Sequence, residues 1–202
     1  KIMRKKILFI FFYIFINILA LNSSNAYDSD PKKFIGEIVD EAKKILIAGN
    51  NKKYKEEKLS EMALKTVDVK GIGFYTLGKY RKNLTDRQLE EYESLFEKYF
   101  LKSFTSRLSD YSDPKIDVLS AEVLNPKYTM VKSLLQGTDQ KPEVKIDWRV
   151  YTKDPDNPLI RDLIVEGLSL ARTQKEEFAS VLESNNGDIN KLFTSLKEFI
   201  NK

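Results

Sequence analysis

The chain is 202 residues long and carries a formal net charge of +4, from 34 Lys and Arg against 30 Asp and Glu, with no cysteine and no histidine. Without cysteine there is neither a disulfide framework nor a lipid-modified N-terminal Cys. Without histidine the commonest general base, the usual partner of Ser or Cys nucleophiles and the commonest transition-metal ligand are all missing, so no metal or cofactor is expected and any catalysis would rest on carboxylates, Lys or Tyr.

Lys1, Arg4, Lys5 and Lys6 precede an apolar run from Ile7 to Leu21 broken only by Asn17, and Ser24-Asn25-Ala26 puts small residues at the −3 and −1 positions of a cleavage site. This is the three-part pattern of a secretory signal peptide. A membrane-spanning helix needs about 20 apolar residues, so the run is short for an uncleaved anchor, the competing reading, and cleavage after Ala26 is expected. The four cations of residues 1–26 account for the whole excess of +4. The rest of the chain is formally neutral, which takes away the persistent basic surface a nucleic-acid partner needs. Residues 27–202 suit one exported, soluble domain with a sizeable core.

Asp30-Pro31 starts a helix, with an N-cap acceptor and proline at the first helical position. Phe34, Ile38, Ala42 and Ile45 or Leu46 follow at helical spacing, and Gly49-Asn50-Asn51 ends it. A charged amphipathic stretch from Lys52 to about Lys65 predicts a second helix. Residues 67–80 predict a third, weakened by Gly71 and Gly73 at about 1 kcal/mol each relative to Ala, glycines that would allow another element to approach closely. Thr85 to Gln88 is a capping box opening the longest helix, whose stripe of Leu89, Tyr92, Leu95, Phe96, Tyr99, Phe100, Phe104 and Leu108 is unusually aromatic. Asn83-Leu84-Thr85 also spells a glycosylation acceptor, for which Thr85 as a cap is sufficient explanation.

After Tyr111-Ser112-Asp113-Pro114 the period changes to near two, with β-rich runs at 115–124, 128–136, 143–152 and 159–169. In the third, Val144, Ile146, Trp148 and Val150 alternate with Lys145, Asp147 and Arg149, giving one apolar and one polar face. Asn125-Pro126, Gly137-Thr138-Asp139 and Asp154 to Pro158 supply turns, so the four runs read as an antiparallel meander. Thr173 to Glu176 reads as a second capping box, for a helix carrying Phe178, Val181 and Leu182, and Asn185-Asn186-Gly187 ends it. Asp188 caps a final helix with Ile189, Leu192, Phe193 and Leu196 inward. The expected fold is α+β, a sheet of about four antiparallel strands with N- and C-terminal helices packed on it.

Two motifs carry a family resemblance. One is Leu77-Gly78-Lys79-Tyr80-Arg81 with Thr85 and Gln88, continued by Tyr92, Phe96, Phe104 and Tyr111. The other is Asp162 with Val165 to Leu170, then Phe178-Ala179-Ser180, Gly187-Asp188 and Leu196. With Val131 and the strand from Val144 to Val150 between them, they resemble the periplasmic phospholipid-binding proteins of the MlaC, or toluene-tolerance, family, over most of residues 34–198. Two positions depart from the family pattern: Arg81 stands where Trp is common and Lys175 where Arg is common.

The resemblance implies a periplasmic shuttle that carries a phospholipid between an outer-membrane lipoprotein complex and an inner-membrane ABC transporter complex, maintaining outer-membrane lipid asymmetry, without making or breaking a bond. With no heptad or large exposed apolar stripe in the sequence, a monomer is expected. An apolar cavity between sheet and helices is the simplest site. Candidate lining residues are Phe74 and Leu77 of the third helix, Phe96, Phe100 and Phe104 of the longest helix, Val131 of the second strand, Val144, Ile146 and Trp148 of the third, and Val165 and Leu168 of the fourth. Apolar periodicity establishes burial and does not separate a filled core from a hollow one.

Two other classes compete. An enzyme would draw on Asp117, Asp147 or Asp162 in the β-rich runs, but no nucleophile motif, phosphate loop or metal spacing accompanies them. A periplasmic adaptor of the same fold, binding proteins and carrying no lipid, is the remaining alternative. Lys79 to Lys82 reads as a solvated helix end, with contact to a lipid phosphate or an acidic partner as the other possibility.

Overall fold

The computed structural model describes residues 27–138 and 142–202. The expected signal peptide and Asp139 of the expected turn lie outside them. The described residues form six α-helices and five strands. In chain order these are α1 (Pro31–Ile47), α2 (Lys52–Thr66), α3 (Val69–Leu77), a 3-10 turn (Gly78–Asn83), α4 (Asp86–Leu108), β1 (Ile116–Asn125), β2 (Tyr128–Leu135), β3 (Val144–Tyr151), β4 (Leu159–Val165), β5 (Leu168–Ser169), α5 (Leu170–Glu183) and α6 (Ile189–Asn201).

Each helix begins where a side chain can take up a free backbone N–H. Asp30 accepts from Lys33 N, Asn51 from Tyr54 N, Asp68 from Gly71 N, and Asp188 from Asn190 N. The Thr85–Gln88 capping box is present with both of its reciprocal bonds. The expected box at Thr173 is not a helix start: α5 opens three residues earlier, at Leu170, with Ser169 as its cap. Thr173 lies inside the first turns, where its hydroxyl donates back to Ser169 O at 3.0 Å.

The strands form one antiparallel sheet in the order β1-β2-β3-β4-β5. The predicted run 159–169 divides in two because Glu166 and Gly167 both adopt positive φ, 48° and 82°. That is the backbone of a two-residue hairpin turn, which reverses the chain and returns Leu168 against Val165. The same edge of β4, toward its start, is extended by Val67, which bridges Ile160, and by Asp68, whose N–H donates to Ile160 O at 2.9 Å.

Two hydrophobic clusters hold the chain together. One joins α3, the first half of α4, α5 and α6 through Leu77, Tyr92, Phe96, Phe178, Leu182, Leu192 and Leu196. The other joins α1 and α2 to the sheet through Phe34, Ile35, Leu59, Val131, Val150 and Ile160. Val67 touches both. Complete burial of side chains of this size contributes about 1.5–3 kcal/mol each. α1 packs on β1 and β2, whereas α3 and α5 pack on β4, so among the described residues no helix runs closely along the central strand β3. No described helix is long and apolar enough to cross a membrane.

Gly73 shows why α3 tolerates a helix-weakening residue. A Cβ there would stand 2.7 Å from Cδ1 of Phe96, a ring only 2% exposed and packed against Tyr92 and Phe178. Gly73→Ala is therefore expected to overpack the α3–α4 contact and to cost about 1–3 kcal/mol despite its higher helix propensity, read as a lower thermal midpoint.

Burial holds the hydroxyls of Tyr92 and Tyr99 above the ordinary tyrosine range, and Tyr27 is raised mainly by burial with help from its bond to Glu41. The unfolded chain releases these protons near pH 10 while the folded protein still holds them. Stability is thus full below about pH 10 and falls as pH rises through the folded values. Thermal melts should show a flat midpoint through neutral pH and a decline on the alkaline side, shallower in Tyr92→Phe.

Candidate functional site

Strand register sorts the sheet into two faces. Across one face run four rows: Ile116, Leu135 and Val144; Val118, Ser133, Ile146 and Val165; Val131, Trp148 and Leu163; and Thr129, Val150 and Ile160. Burial changes along these rows. The last is closed, at 5%, 0% and 4% exposure. In the third, Val131 is sealed while Trp148 and Leu163 are half-buried. In the first two every apolar member is half-buried. On β2, β3 and β4 the apolar face is thus closed toward the β1–β2 turn and half-buried toward the opposite end, where β2 ends and β3 begins, whereas on β1 Ala121 and Val123, in register with Val131 and Thr129, are exposed.

Trp148 is fixed within this gradient. Its indole N–H donates to Ser133 Oγ at 2.8 Å, and the Ser133 hydroxyl donates in turn to Ile146 O at 2.8 Å. The one polar atom of the ring is satisfied by the strand beside it, so the surface it turns to its surroundings is wholly apolar. The second half of α4 faces the same layer: Phe104 and Leu108 pack on the sheet cluster, and Phe100 stacks on Phe104 with ring centroids 5.8 Å apart and planes 7° from parallel. The half-buried rows and the second half of α4 thus border a candidate apolar trough.

Seven of the eleven sequence candidates divide across the two clusters, and four lie outside both. Leu77 and Phe96 are fully buried in the helical cluster, with Phe74 and Phe100 packed at its margin. Phe104, Val131 and Trp148 belong to the sheet cluster, Val131 at its sealed end. Val144, Ile146 and Val165 occupy the half-open rows. Leu168 pairs with Val165 across the hairpin and is 59% exposed. Sequence reasoning passed over Ile116, Val118, Leu135 and Leu163, which share the open rows, and Ser133, which holds Trp148. Alternation could have found Leu135 and Ser133 from Val131 and Leu163 from Val165, whereas the place of Ile160 on this face depends on a bulge opposite Arg149 and Val150 that only pairing reveals.

The reverse face is polar. Asp162, 4% exposed, accepts from Ser169 Oγ at 2.6 Å and from Ala171 N at 3.0 Å, and Arg149 NH1 lies 3.5 Å from it. Its carboxylate ties β4 to the start of α5. Asp117 on β1 accepts from Gln136 Nε2 at 2.8 Å, and Asp147 pairs in register with Lys132 and Ile164. No cluster of carboxylates suited to a metal ion occurs among the described residues. Arg161 is held by Asp68, 2.6 Å away, by the Tyr128 hydroxyl at 2.9 Å and by the Tyr151 ring, whose centroid is 3.7 Å from its guanidinium carbon. Between this face and the first turns of α3 and α5 lies a cleft of about 490 Å³, lined by Gly71, Ile72, Tyr75, Leu124, Asn125, Tyr128, Arg149, Arg161, Asp162 and Ala171. None of the eleven candidates lines it.

The two positions that depart from the family pattern both place a cation over an aromatic ring of α3. The Arg81 guanidinium lies 4.2 Å from the centre of Phe74, and the Lys175 ammonium 5.0 Å from that of Tyr75. Lys79 pairs with Glu183 at 3.1 Å on an exposed surface.

A family model described as MlaC protein matches residues 35–198. Among solved structures, the chain is similar to the phospholipid-binding protein from Ralstonia solanacearum determined in complex with a phospholipid, at 19% sequence identity and a TM-score of 0.71. The match covers 86% of this chain and 97% of that one. At this identity the likeness establishes a shared α+β fold.

Ser133 is 2% exposed and is the partner of Trp148 Nε1. Ser133→Ala is expected to leave that N–H without its acceptor, lowering stability by about 1–3 kcal/mol in urea unfolding and altering the emission of the chain's single tryptophan.

Proposed function

The chain belongs to the MlaC family, and from that premise we propose that it is a periplasmic carrier of a phospholipid, exported by residues 1–26 and active as the single domain that follows them. In this reading it passes lipid between an outer-membrane lipoprotein complex and an inner-membrane ABC transporter complex, without catalysis. The observation that carries the reading is the graded burial of the apolar face: sealed at Val131, Val150 and Ile160 and only half-buried around Trp148, Ile146 and Val165. An ordinary core would close that layer to packing density throughout. The described phospholipid complex of a protein with the same fold supports the same ligand class.

The energetics suit a shuttle. At about 0.8 kcal/mol per buried methylene, two acyl chains with about 30 methylenes between them prefer any apolar site over water by about 24 kcal/mol. Free diffusion of the lipid is negligible. A bilayer offers those chains nearly the same stabilisation, so a carrier whose trough matches hydrocarbon exchanges lipid close to neutrality, and the acceptors set direction.

Native and denaturing mass spectrometry of protein purified from a bacterial periplasm without detergent tests this. One phospholipid per chain, lost on denaturation, is expected. A ligand-free protein that also takes no lipid from vesicles would contradict it and favour the protein-binding adaptor. Val165, half-buried in the open rows, is the place to fill the trough: Val165→Trp is expected to reduce the lipid carried at a cost of no more than about 1–2 kcal/mol in stability. Undiminished lipid in the folded variant would remove Val165 from the site.

A further inference from the structure

The cleft on the reverse face has no part in the trough, because register places Tyr128, Arg149 and Asp162 on the side of the sheet opposite Val131, Trp148 and Leu163. Its volume of about 490 Å³ lies within the range of small-ligand pockets, about 300–1,000 Å³. Its walls combine apolar and aromatic side chains with two guanidinium groups. Arg161 is fully occupied by Asp68, Tyr128 and Tyr151. Arg149 is not held in that way. The carboxylate nearest to it, on Asp162, already takes two shorter bonds from Ser169 and Ala171, and NH1 of Arg149 stands off at 3.5 Å with its side chain 41% exposed.

We propose that this cleft is a second binding site, which takes a small organic oxyanion, a phosphate or carboxylate on an apolar or aromatic body, with Arg149 as the group that recognises the charge. Guanidinium presents a planar fork that matches both oxyanions. Asp68 and Asp162 balance the two arginines, and the first turns of α3 and α5, at Gly71 and Ala171, bring the positive ends of two helices to the same wall. The balance therefore favours one added negative charge. Tyr75, on α3, and Leu124, on β1, are 47% and 44% exposed and supply apolar contact for the body of the ligand.

Phenyl phosphate is the probe, with benzyl alcohol as the uncharged counterpart, titrated into the full protein by calorimetry and amide NMR. Saturable binding of phenyl phosphate is expected, with shifts centred on Arg149, Tyr75, Tyr128 and Ala171 and no matching response to benzyl alcohol. Arg149→Gln should weaken it by about tenfold or more. Tyr75→Ala, on an exposed aromatic wall, should weaken it independently of any effect on folding. Lipid-loaded protein should bind the probe as well as lipid-free protein does. Absence of saturable binding, shifts centred on Val118, Val144, Ile146 and Val165 of the opposite face, equal binding by Arg149→Gln, or loss of the site on loading with phosphatidylglycerol would each overturn the proposal, the last by assigning the cleft to the lipid's own headgroup.

Discussion

A single aromatic stripe on α4 has to serve two hydrophobic clusters that face different ways. Tyr92, Leu95 and Phe96 are sealed among α3, α5 and α6, while Phe104 and Leu108, further along the same helix, meet the sheet. The seam falls between Phe100 and Phe104, whose rings stack nearly parallel. The second half of the helix thus borders the half-buried rows of the sheet, and the first half is fixed among helices. The tight α3–α4 contact at Gly73 and Phe96 anchors the first half of the helix, and with it the position of the second half beside the candidate trough.

The buried polar groups of the two clusters and the sheet are satisfied within the protein, so that none would be left for a lipid in the proposed trough to satisfy. On the sheet Ser133 takes the indole N–H of Trp148, in the helical cluster Thr76 and Tyr92 pair with each other at 2.7 Å, and no buried side-chain polar atom among the described residues lacks a partner. A cavity wall with an orphaned donor would penalise an acyl chain by about 1–3 kcal/mol per group. A fully satisfied wall instead behaves as hydrocarbon, which is what near-neutral exchange with a bilayer requires. The polar chemistry of the sheet is confined to its other face, where Asp162 and Arg161 tie strands to the starts of α5 and α3.

Much of this organisation was legible in the sequence because it rests on short-range rules. Asp30, Asn51, Thr85 and Asp188 occupy positions where a helix needs an acceptor, and the alternation from Val144 to Val150 fixed the two faces of β3. The errors came where one residue serves two elements. Ser169 closes a strand pair and caps α5 at once, and Glu166, a non-glycine residue in left-handed backbone, conceals a turn inside an apparently continuous strand. Candidate site residues were legible as buried or half-buried apolar positions and not as a set. The division of Phe96 from Phe104, or of Val131 from Val165, depends on which helix lies above each row, a tertiary fact with no local signature.

The most direct test of the trough uses the chain's only tryptophan, since Trp148 stands at the boundary between the sealed and half-open rows. Phospholipids brominated on their acyl chains quench an indole only at contact distance. The account predicts that loading the protein with such a lipid quenches Trp148 emission in proportion to bound lipid, while the same lipid brominated in its headgroup does not. Stoichiometric binding of acyl-brominated lipid with Trp148 emission unchanged would contradict it and place the acyl chains elsewhere on the molecule.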